Sequence, residues 1–349
     1  MFRYIFYFCG SIFTMTKSQK YTQLFTQFSS LNALIIGDVM LDAYLWGNVE
    51  RISPEAPVPI VQVYKRANRL GGAANVALNI KALGANPIIC SVIGDDIQAQ
   101  AFYALLNEAY ISNEGIIKSK NRITTTKFRV IGNNAQMLRV DEETLTNLST
   151  EEEALFIERI KKIIQTTKID VIVFQDYDKG VISKSVINKI MKLVKGTIPI
   201  AVDPKHKNFF YYKNVDLFKP NLKELQEATH SHFDKKDLQS LQSEVEKLQS
   251  QLNVKQLFTT LSDQGVFISE LENNAFKSTF VPAHKRSISD VSGAGDTVIS
   301  VAALCLALKQ DKKTIAEVSN LAGGLVCEEL GVIPINKEKL LKETLKIYG

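Results

Sequence analysis

The chain has 349 residues, 45% hydrophobic and 23% charged, with a formal net charge of +5. That is enough for one large α/β domain with a sizeable core, or for two domains, and its composition is that of an ordinary globular protein. The lysines are scattered rather than massed, which argues against a nucleic-acid surface and suits an anionic small substrate.

Met1 to Phe13 is aromatic and apolar with one arginine. The run is short and no A-x-A-like cleavage site follows, so it reads as a start-site extension and not as a signal peptide. Residues 1–30 are expected to be an N-terminal extension, with 1–14 outside the fold. No other stretch is long enough to span a bilayer.

Leu31 to Asp38 reads as a first buried strand. In open parallel sheets ligands sit at such C-terminal strand ends, and Asp42 follows closely. Arg51 to Ile60 holds Pro54, Pro57 and Pro59, so it is neither helix nor central strand. Val61 to Tyr64 alternates as an exposed or edge strand does. Gly71-Gly72-Ala73-Ala74-Asn75 opens a helix to Leu83, stopped by Gly84. The paired glycines also allow another group to approach the main chain.

Pro87 to Gly94 is a second strand, and Asp95-Asp96 caps a helix to Glu108. Arg122 to Ile131 and Gln136 to Val140 pattern as a hairpin turning at Gly132-Asn133-Asn134. No helices follow these strands, so they are expected to leave the main sheet. With the proline segment they form a small β-lid, from about 42–64 and 122–141.

From Ser149 the βα rhythm resumes. A helix runs to about Gln165. Strand Ile169–Phe174 ends in the polar loop Gln175–Gly180, and Ser183 caps the next helix. Strand Ile198–Val202 ends in Asp203-Pro204-Lys205, and strand Val215–Lys219 ends in Pro220-Asn221-Leu222-Lys223-Glu224. Polar groups at the ends of consecutive strands point to a site on one rim. Asp234 to Asn253 is a solvated helix. Val254–Thr260, Gly265–Glu270 and Ala275–Pro282 are strands. The closing helices are Ala294–Leu308, Thr314–Leu330 and Lys337–Ile347. The whole reads as one doubly wound, mainly parallel α/β domain over 31–349, flanked by helices and carrying the lid.

The chemistry gathers at Asp290-Val291-Ser292-Gly293-Ala294-Gly295-Asp296. The first N–H groups of a helix lack internal partners and favour anions. Asp296 in that turn is either a cap or a base, and the bare amides beside it suit phosphoryl transfer. Cys9, Cys90, Cys305 and Cys327 lie far apart and read as free thiols. His230 and His232 read as loop residues without metal spacing.

Gly71 to Ala77 and Asp290 to Asp296 resemble the two signature motifs of the ribokinase-like (PfkB) sugar kinases, and the resemblance covers about Leu31 to Ile347. Gly37-Asp38-Val39-Met40-Leu41-Asp42, Arg51 to Pro59, Leu138-Arg139-Val140-Asp141 and Asp176-Tyr177-Asp178-Lys179-Gly180 further resemble the subgroup that phosphorylates D-glycero-β-D-manno-heptose 7-phosphate for lipopolysaccharide core synthesis. Gln175 departs from that subgroup, where Ser is expected.

The resemblance implies ATP and Mg²⁺ as cofactors, a cytoplasmic location and a homodimer through the lid strands. It implies Asp296 as the general base, with the N–H groups of Gly293, Ala294 and Gly295 on the transferring phosphoryl. Asn221 and Glu224 would help hold Mg²⁺ and the ATP phosphates, and Ser262, Gly265 and Asn320 would line the nucleotide. Asp42, Gly71, Gly72 and Asn75 would bind sugar hydroxyls. For the distal phosphate the candidates are Arg51 and Lys179 first, then Lys127, Arg129, Arg139 and Lys205. Some relatives carry a nucleotidyltransferase domain with an H-x-G-H motif, which this sequence lacks, so a stand-alone kinase is expected. Two rival readings are another PfkB kinase, acting on fructose, a fructose phosphate, ribose or a nucleoside, and a non-catalytic sugar sensor. An NAD-binding reading lacks a G-x-G-x-x-G after the first strand.

Overall fold

Short apolar runs separated by amphipathic helices leave the chain one way to cover both faces of its strands. A computed structural model describes residues 15–234, 236–273, 275–329 and 331–349. The reading of Met1–Thr14, and of Cys9 within it, lies outside the described residues.

Helix α1 (Lys17–Gln27) leads into β1 (Asn32–Gly37). Two long strands follow, β2 (Val39–Ile52) and β3 (Pro59–Gly72), then α2 (Ala73–Ala82), β4 (Asn86–Gly94), α3 (Ile97–Glu108) and β5 (Ile116–Ser119). Next come β6 (Thr126–Gly132), β7 (Ala135–Glu142), α4 (Thr150–Thr166), β8 (Val171–Gln175), α5 (Lys184–Val194) and β9 (Ile200–Asp203). The chain continues through β10 (Leu217–Phe218), α6 (Leu222–Thr229), α7 (Leu238–Leu252) and β11 (Gln256–Thr260). It closes with β12 (Gly265–Glu272), β13 (Ala275–Pro282), α8 (Ala294–Ala307), α9 (Lys312–Val326) and α10 (Lys337–Tyr348).

Nine strands form the main sheet, in the order β13-β12-β11-β10-β9-β8-β1-β4-β5. It is parallel from β5 to β11 and antiparallel at β12 and β13. Alternation along β1 divides the core. Ala33 and Ile35 face one layer, with residues of α1, α2, α3, α8, α9 and α10. Leu34 and Ile36 face the other, with α4 to α7. The expected doubly wound arrangement is therefore the observed one.

The lid is a separate four-stranded sheet, β3-β2-β6-β7. It is longer than the sequence predicts. β2 starts at Val39 and β3 runs directly into α2, because Val39, Met40, Leu41 and Leu70 are buried at the base. The proline segment turns the β2–β3 hairpin, with the Ser53 N–H donating to the Val58 carbonyl at 2.9 Å. β6 begins later than expected, at Thr126. The N–H and hydroxyl of Thr124 are both taken by the Asp96 carboxylate, at 2.7 and 2.8 Å, which removes Thr124 from any ladder. The hairpin turn is as read, with Asn133 and Asn134 both in the left-handed region. The short edge strand β5 carries no sequence signal that separates it from a loop.

Residues 17–30 correct the expected N-terminal extension. Thr16 and Gln19 form a capping box, and Tyr21, Leu24, Phe25 and Phe28 are buried. The Tyr21 hydroxyl donates to Glu317 at 2.7 Å. Helix α7 starts four residues later than expected, because Asp234 and Asp237 accept from the N–H groups of Lys236 and Ser240 instead. Helix α9 ends at Val326, and the carbonyl of Cys327 accepts from the N–H groups of Ser289 and Asp290. Cys90, Cys305 and Cys327 are buried free thiols, as read. No helix among the described residues is long and apolar enough to cross a membrane.

Candidate active site

The C-terminal ends of β8, β9, β10 and β11 and the start of α8 enclose a cleft of about 600 Å³. Tyr177, Asp203, Lys205, Lys219, Ser262 and Asp296 are among its lining residues. The topology places it where parallel strands end, as the sequence reading expected.

Asp296 sits in the first turn of α8 and is buried. One oxygen, Oδ2, accepts from Asn75 Nδ2 at 2.7 Å. The other, Oδ1, accepts from the Tyr177 hydroxyl at 2.7 Å and from Gln175 Nε2 at 3.2 Å. Burial pushes its carboxyl up to about 6, against the donors Asn75 and Tyr177, while the neighbouring Asp203 adds to the rise. A carboxylate poised there holds a proton weakly enough to lose it near neutrality and strongly enough to take one from a hydroxyl. The capping reading is not supported, since the N-cap of α8 is Gly293 and has no side-chain cap.

Gly293 has φ +81°, and a Cβ there would lie 2.9 Å from Asn75 Nδ2. The bare backbone therefore both turns the chain into α8 and makes room for the amide that holds Asp296. Asp290 fixes the approach, accepting from the N–H groups of Ser292 and Gly331 at 2.9 and 3.0 Å. Helix α2 is tied to α8 by further polar bonds. Asn79 accepts from the Thr297 hydroxyl at 3.0 Å, and Ser300 donates to the Val76 carbonyl at 3.2 Å. Fully satisfied buried networks of this kind fix one arrangement.

Beside Gly295 at the start of α8, Lys219 Nζ lies 3.0 Å from Asp203 Oδ1, and both groups are buried. Burial raises the Asp203 carboxyl despite Lys219. Asn221 is the N-cap of α6 and forms a capping box with Glu224, each side chain accepting from the other's N–H at 2.9 Å. Glu224 is also paired with Lys205. Burial lowers Lys205, but Glu224 and Asp203 outweigh it and hold the amine up. Ser262, on a short 3-10 turn, lines the same cleft, with Gly265 opening β12 behind it. Asn320 on α9 donates to the Pro282 carbonyl at 2.9 Å, so it braces the end of β13.

On the lid side, Asp42 is buried and ion-paired with Arg129. A Cβ at Gly71 would come 2.5 Å from Asp42 Oδ2, so only glycine leaves that carboxylate its place. Gly72 caps α2 at φ +59°. The strand register puts Asp42, Arg69, Lys127, Arg129, Arg139 and Asp141 on one lid face. Four cations there oppose two carboxylates. Arg69 and Arg129 both stand over the Tyr44 ring, at 5.2 and 5.3 Å, and Arg69 donates to the Val332 carbonyl at 3.2 Å. This face therefore meets the loop between α9 and α10, where Val332 also lies beside Gly293.

Arg51 is exposed near the far tip of β2, about 30 Å beyond Asp42 at the usual strand rise. Lys179 is paired with Glu143 at 2.8 Å, and its N–H donates to Asp38. Asp38 instead clamps the 177–181 loop, accepting from the N–H groups of Tyr177, Lys179 and Val181. His230 ends α6 in a left-handed cap.

The structure brings Asn75, Gly293 and Asp296 together and sets Gly71 against Asp42, and beside them it places Lys219, Tyr177, Arg69 and Tyr44, which the sequence reading did not single out. A lysine closing a buried strand was the available signal for Lys219. Tyr177 lay within the Asp176–Gly180 segment already singled out, but its partner Asp296 is 119 residues away, and Arg69 meets Tyr44 across 25 residues.

A family model described as pfkB family carbohydrate kinase matches residues 30–339. Two curated relatives carry the name "Bifunctional protein HldE". That of Campylobacter curvus is 37% identical over 305 residues, 87% of this chain and 63% of the relative. That of Aliarcobacter butzleri is 39% identical over 301 residues, 86% of this chain and 61% of the relative. The chain thus spans somewhat under two thirds of the length of these relatives. Among solved structures, phosphofructokinase-2 from Escherichia coli in complex with potassium superposes with a TM-score of 0.74 at 18% identity, covering 90% of this chain and 99% of that one. Arabidopsis thaliana ribokinase complexed with ribose and ATP gives 0.68 at 16% identity, covering 89% and 99%.

Proposed function

This chain belongs to the pfkB family of carbohydrate kinases, and we propose that within it the chain phosphorylates a sugar that already bears a phosphate, D-glycero-β-D-manno-heptose 7-phosphate, at its anomeric hydroxyl, with ATP as donor. It is a sugar kinase by family. The observation that carries the finer reading is the net-positive lid face beside Asp42, where Arg69, Lys127 and Arg129 can meet a phosphate on the far end of the sugar. A neutral sugar has no use for such a face.

In this reading the sugar lies between Asp42, the Gly71–Gly72 backbone, Asn75 and Asp296. Asp296 takes the proton of the attacking hydroxyl as its oxygen bonds to phosphorus. The bond to the leaving nucleotide breaks, and its electron pair stays on that nucleotide. Amides at the start of α8, with Lys219 beneath them, face the charge on the transferring group. The 1,7-bisphosphate so formed would serve ADP-heptose and lipopolysaccharide core synthesis.

The donor set fits a Mg²⁺ ion held mostly by phosphate and water oxygens. Among the described residues no group of three or more metal-ligating side chains could hold a metal alone. Glu224 and Asn221 are the residues that would hold it at the cleft rim, and since both are engaged in the capping box they would act largely through water. The ion would supply neutralisation of phosphate charge. A second copy of the chain is proposed to pack on the lid strands, where Leu138, Met137 and Val140 are exposed on β7, and the enzyme is proposed to work in the cytoplasm.

A panel measuring ADP formation with the heptose 7-phosphate, fructose 6-phosphate, fructose, ribose and a nucleoside tests the substrate. Turnover confined to the heptose phosphate is expected. Faster turnover of an unphosphorylated sugar would sink the reading. Activity on none, with ATP still bound, would favour a sensor.

A further inference from the structure

Gln175, the last residue of β8, lies between the two buried carboxylates of the site. Its Nε2 is 3.2 Å from Asp203 Oδ2 and 3.2 Å from Asp296 Oδ1. Two carboxylate acceptors on one side fix which end of the amide is nitrogen. Its Oε1 is buried and has no hydrogen-bond partner among the described residues. An apolar side chain of the same shape would avoid that cost, so packing does not explain a glutamine here.

The donors on Asp296 are unequally shared. Oδ1 accepts from both Gln175 and the Tyr177 hydroxyl, whereas Oδ2 accepts from Asn75 alone. A carboxylate oxygen accepts about two such bonds. Oδ1 is therefore full, and Oδ2 keeps one free lone pair.

We propose that Gln175 is a positioning residue which, with Tyr177, saturates Asp296 Oδ1 and so makes Oδ2 the oxygen that takes the substrate proton, while bridging Asp296 to Asp203. This rests on Asp296 being the base. The proton leaves the attacking hydroxyl for Oδ2, and the hydroxyl oxygen gains its bond to phosphorus as the leaving nucleotide departs. Gln175 transfers nothing. It stabilises the ionised carboxylate and offsets the repulsion between two acids that share a small buried space. The charged and titratable groups facing Asp296 are Tyr177 from the loop after β8, Asp203 and Lys205 from the end of β9, and Lys219 after β10.

The test compares Gln175→Met, which keeps length and loses the donor, with Gln175→Glu, which adds a third acid. Two readouts are taken on the full chain: the acid limb of kcat/KM for the active sugar, and the Asp296 carboxyl titration by carbon NMR, assigned from its loss in Asp296→Asn. Both variants are expected to move limb and midpoint upward, by about one pH unit for Gln175→Met and more for Gln175→Glu. At pH near 6 that is about a fivefold loss of kcat/KM, vanishing above about pH 8. Melting temperature is followed in parallel, since a purely structural residue would lower it without moving either midpoint. Unmoved midpoints in both variants, alongside an inactive Asp296→Asn, overturn this proposal alone. Turnover that survives Asp296→Asn overturns the base assignment and this proposal with it.

Discussion

A buried carboxylate is costly, and Asp296 keeps its charge only through three directed donors and the start of α8. Replacing it by Asn should lower kcat about 10²- to 10⁴-fold with ATP binding nearly kept, because a base acts in the transition state. Because burial lifts its carboxyl to about 6, kcat/KM should rise with pH through that value and level off above it. An activity profile flat from about pH 5 to about pH 8 would remove Asp296 from that role. Arg129 offers a second residue-scale check. It pairs with Asp42 and stands on the basic lid face, so Arg129→Met should raise KM for a phosphorylated sugar about tenfold or more and leave KM for ATP unchanged, as loss of a bond to a charged group does.

Helices α1, α2 and α8 show how elements hold those residues in place. α2 and α8 are joined by Asn75, Asn79 and Ser300, so Asp296 and Asn75 move as one unit. α1 contributes Tyr21, Leu24 and Phe25, with Phe28 just past its end, to the core shared with α8, α9 and α10. Phe25→Ala should therefore cost about 3–5 kcal/mol in urea unfolding, the usual loss for an aromatic removed from a core. A change within about 0.5 kcal/mol would show α1 to be a loose extension after all. The sequence misjudged α1 because its polar residues outnumber its apolar ones. Three buried side chains on one stripe, continued by Phe28, are enough to dock a helix when a core is waiting for them.

At the scale of the whole molecule, four buried carboxylates, Asp38, Asp176, Asp203 and Asp296, are all raised by burial. Asp176 reaches about 7 from an ordinary 3.8. A group raised in the folded state contributes stability below its unfolded value and loses it as pH rises through the folded one. The melting temperature should therefore fall from about pH 5 to about pH 8, and Asp176→Asn should flatten that slope. A melting temperature that climbs over this range would contradict the burial seen here. The opposite loss, at acid pH, belongs to groups such as Asp311, which Lys20 and Thr314 outweigh burial to hold at about 2. Assembly is testable at the same scale. Leu138→Lys on the exposed strand β7 should shift the light-scattering mass from dimer to monomer without loss of helix content.

The sequence by itself determined the layered α/β order, the lid and the bare helix start at Gly293–Asp296. Each of these is written locally, in apolar period, in glycine and proline placement, and in the bare start of a helix. Asp296 stood out as a carboxylate in a bare helix start, whereas Asp42 and Asn75 were named through the motifs that resemble the family's. Gln175 could be noticed as a departure but not understood, since its two partners lie at Asp203 and Asp296. Only the tertiary structure decided that Arg51 sits exposed near the far end of β2, that Arg69 and Arg129 gather over Tyr44, and that Lys219 lies beside Gly295. Strand order and register set those meetings, and register depends on partners far apart in the chain, which no local pattern specifies.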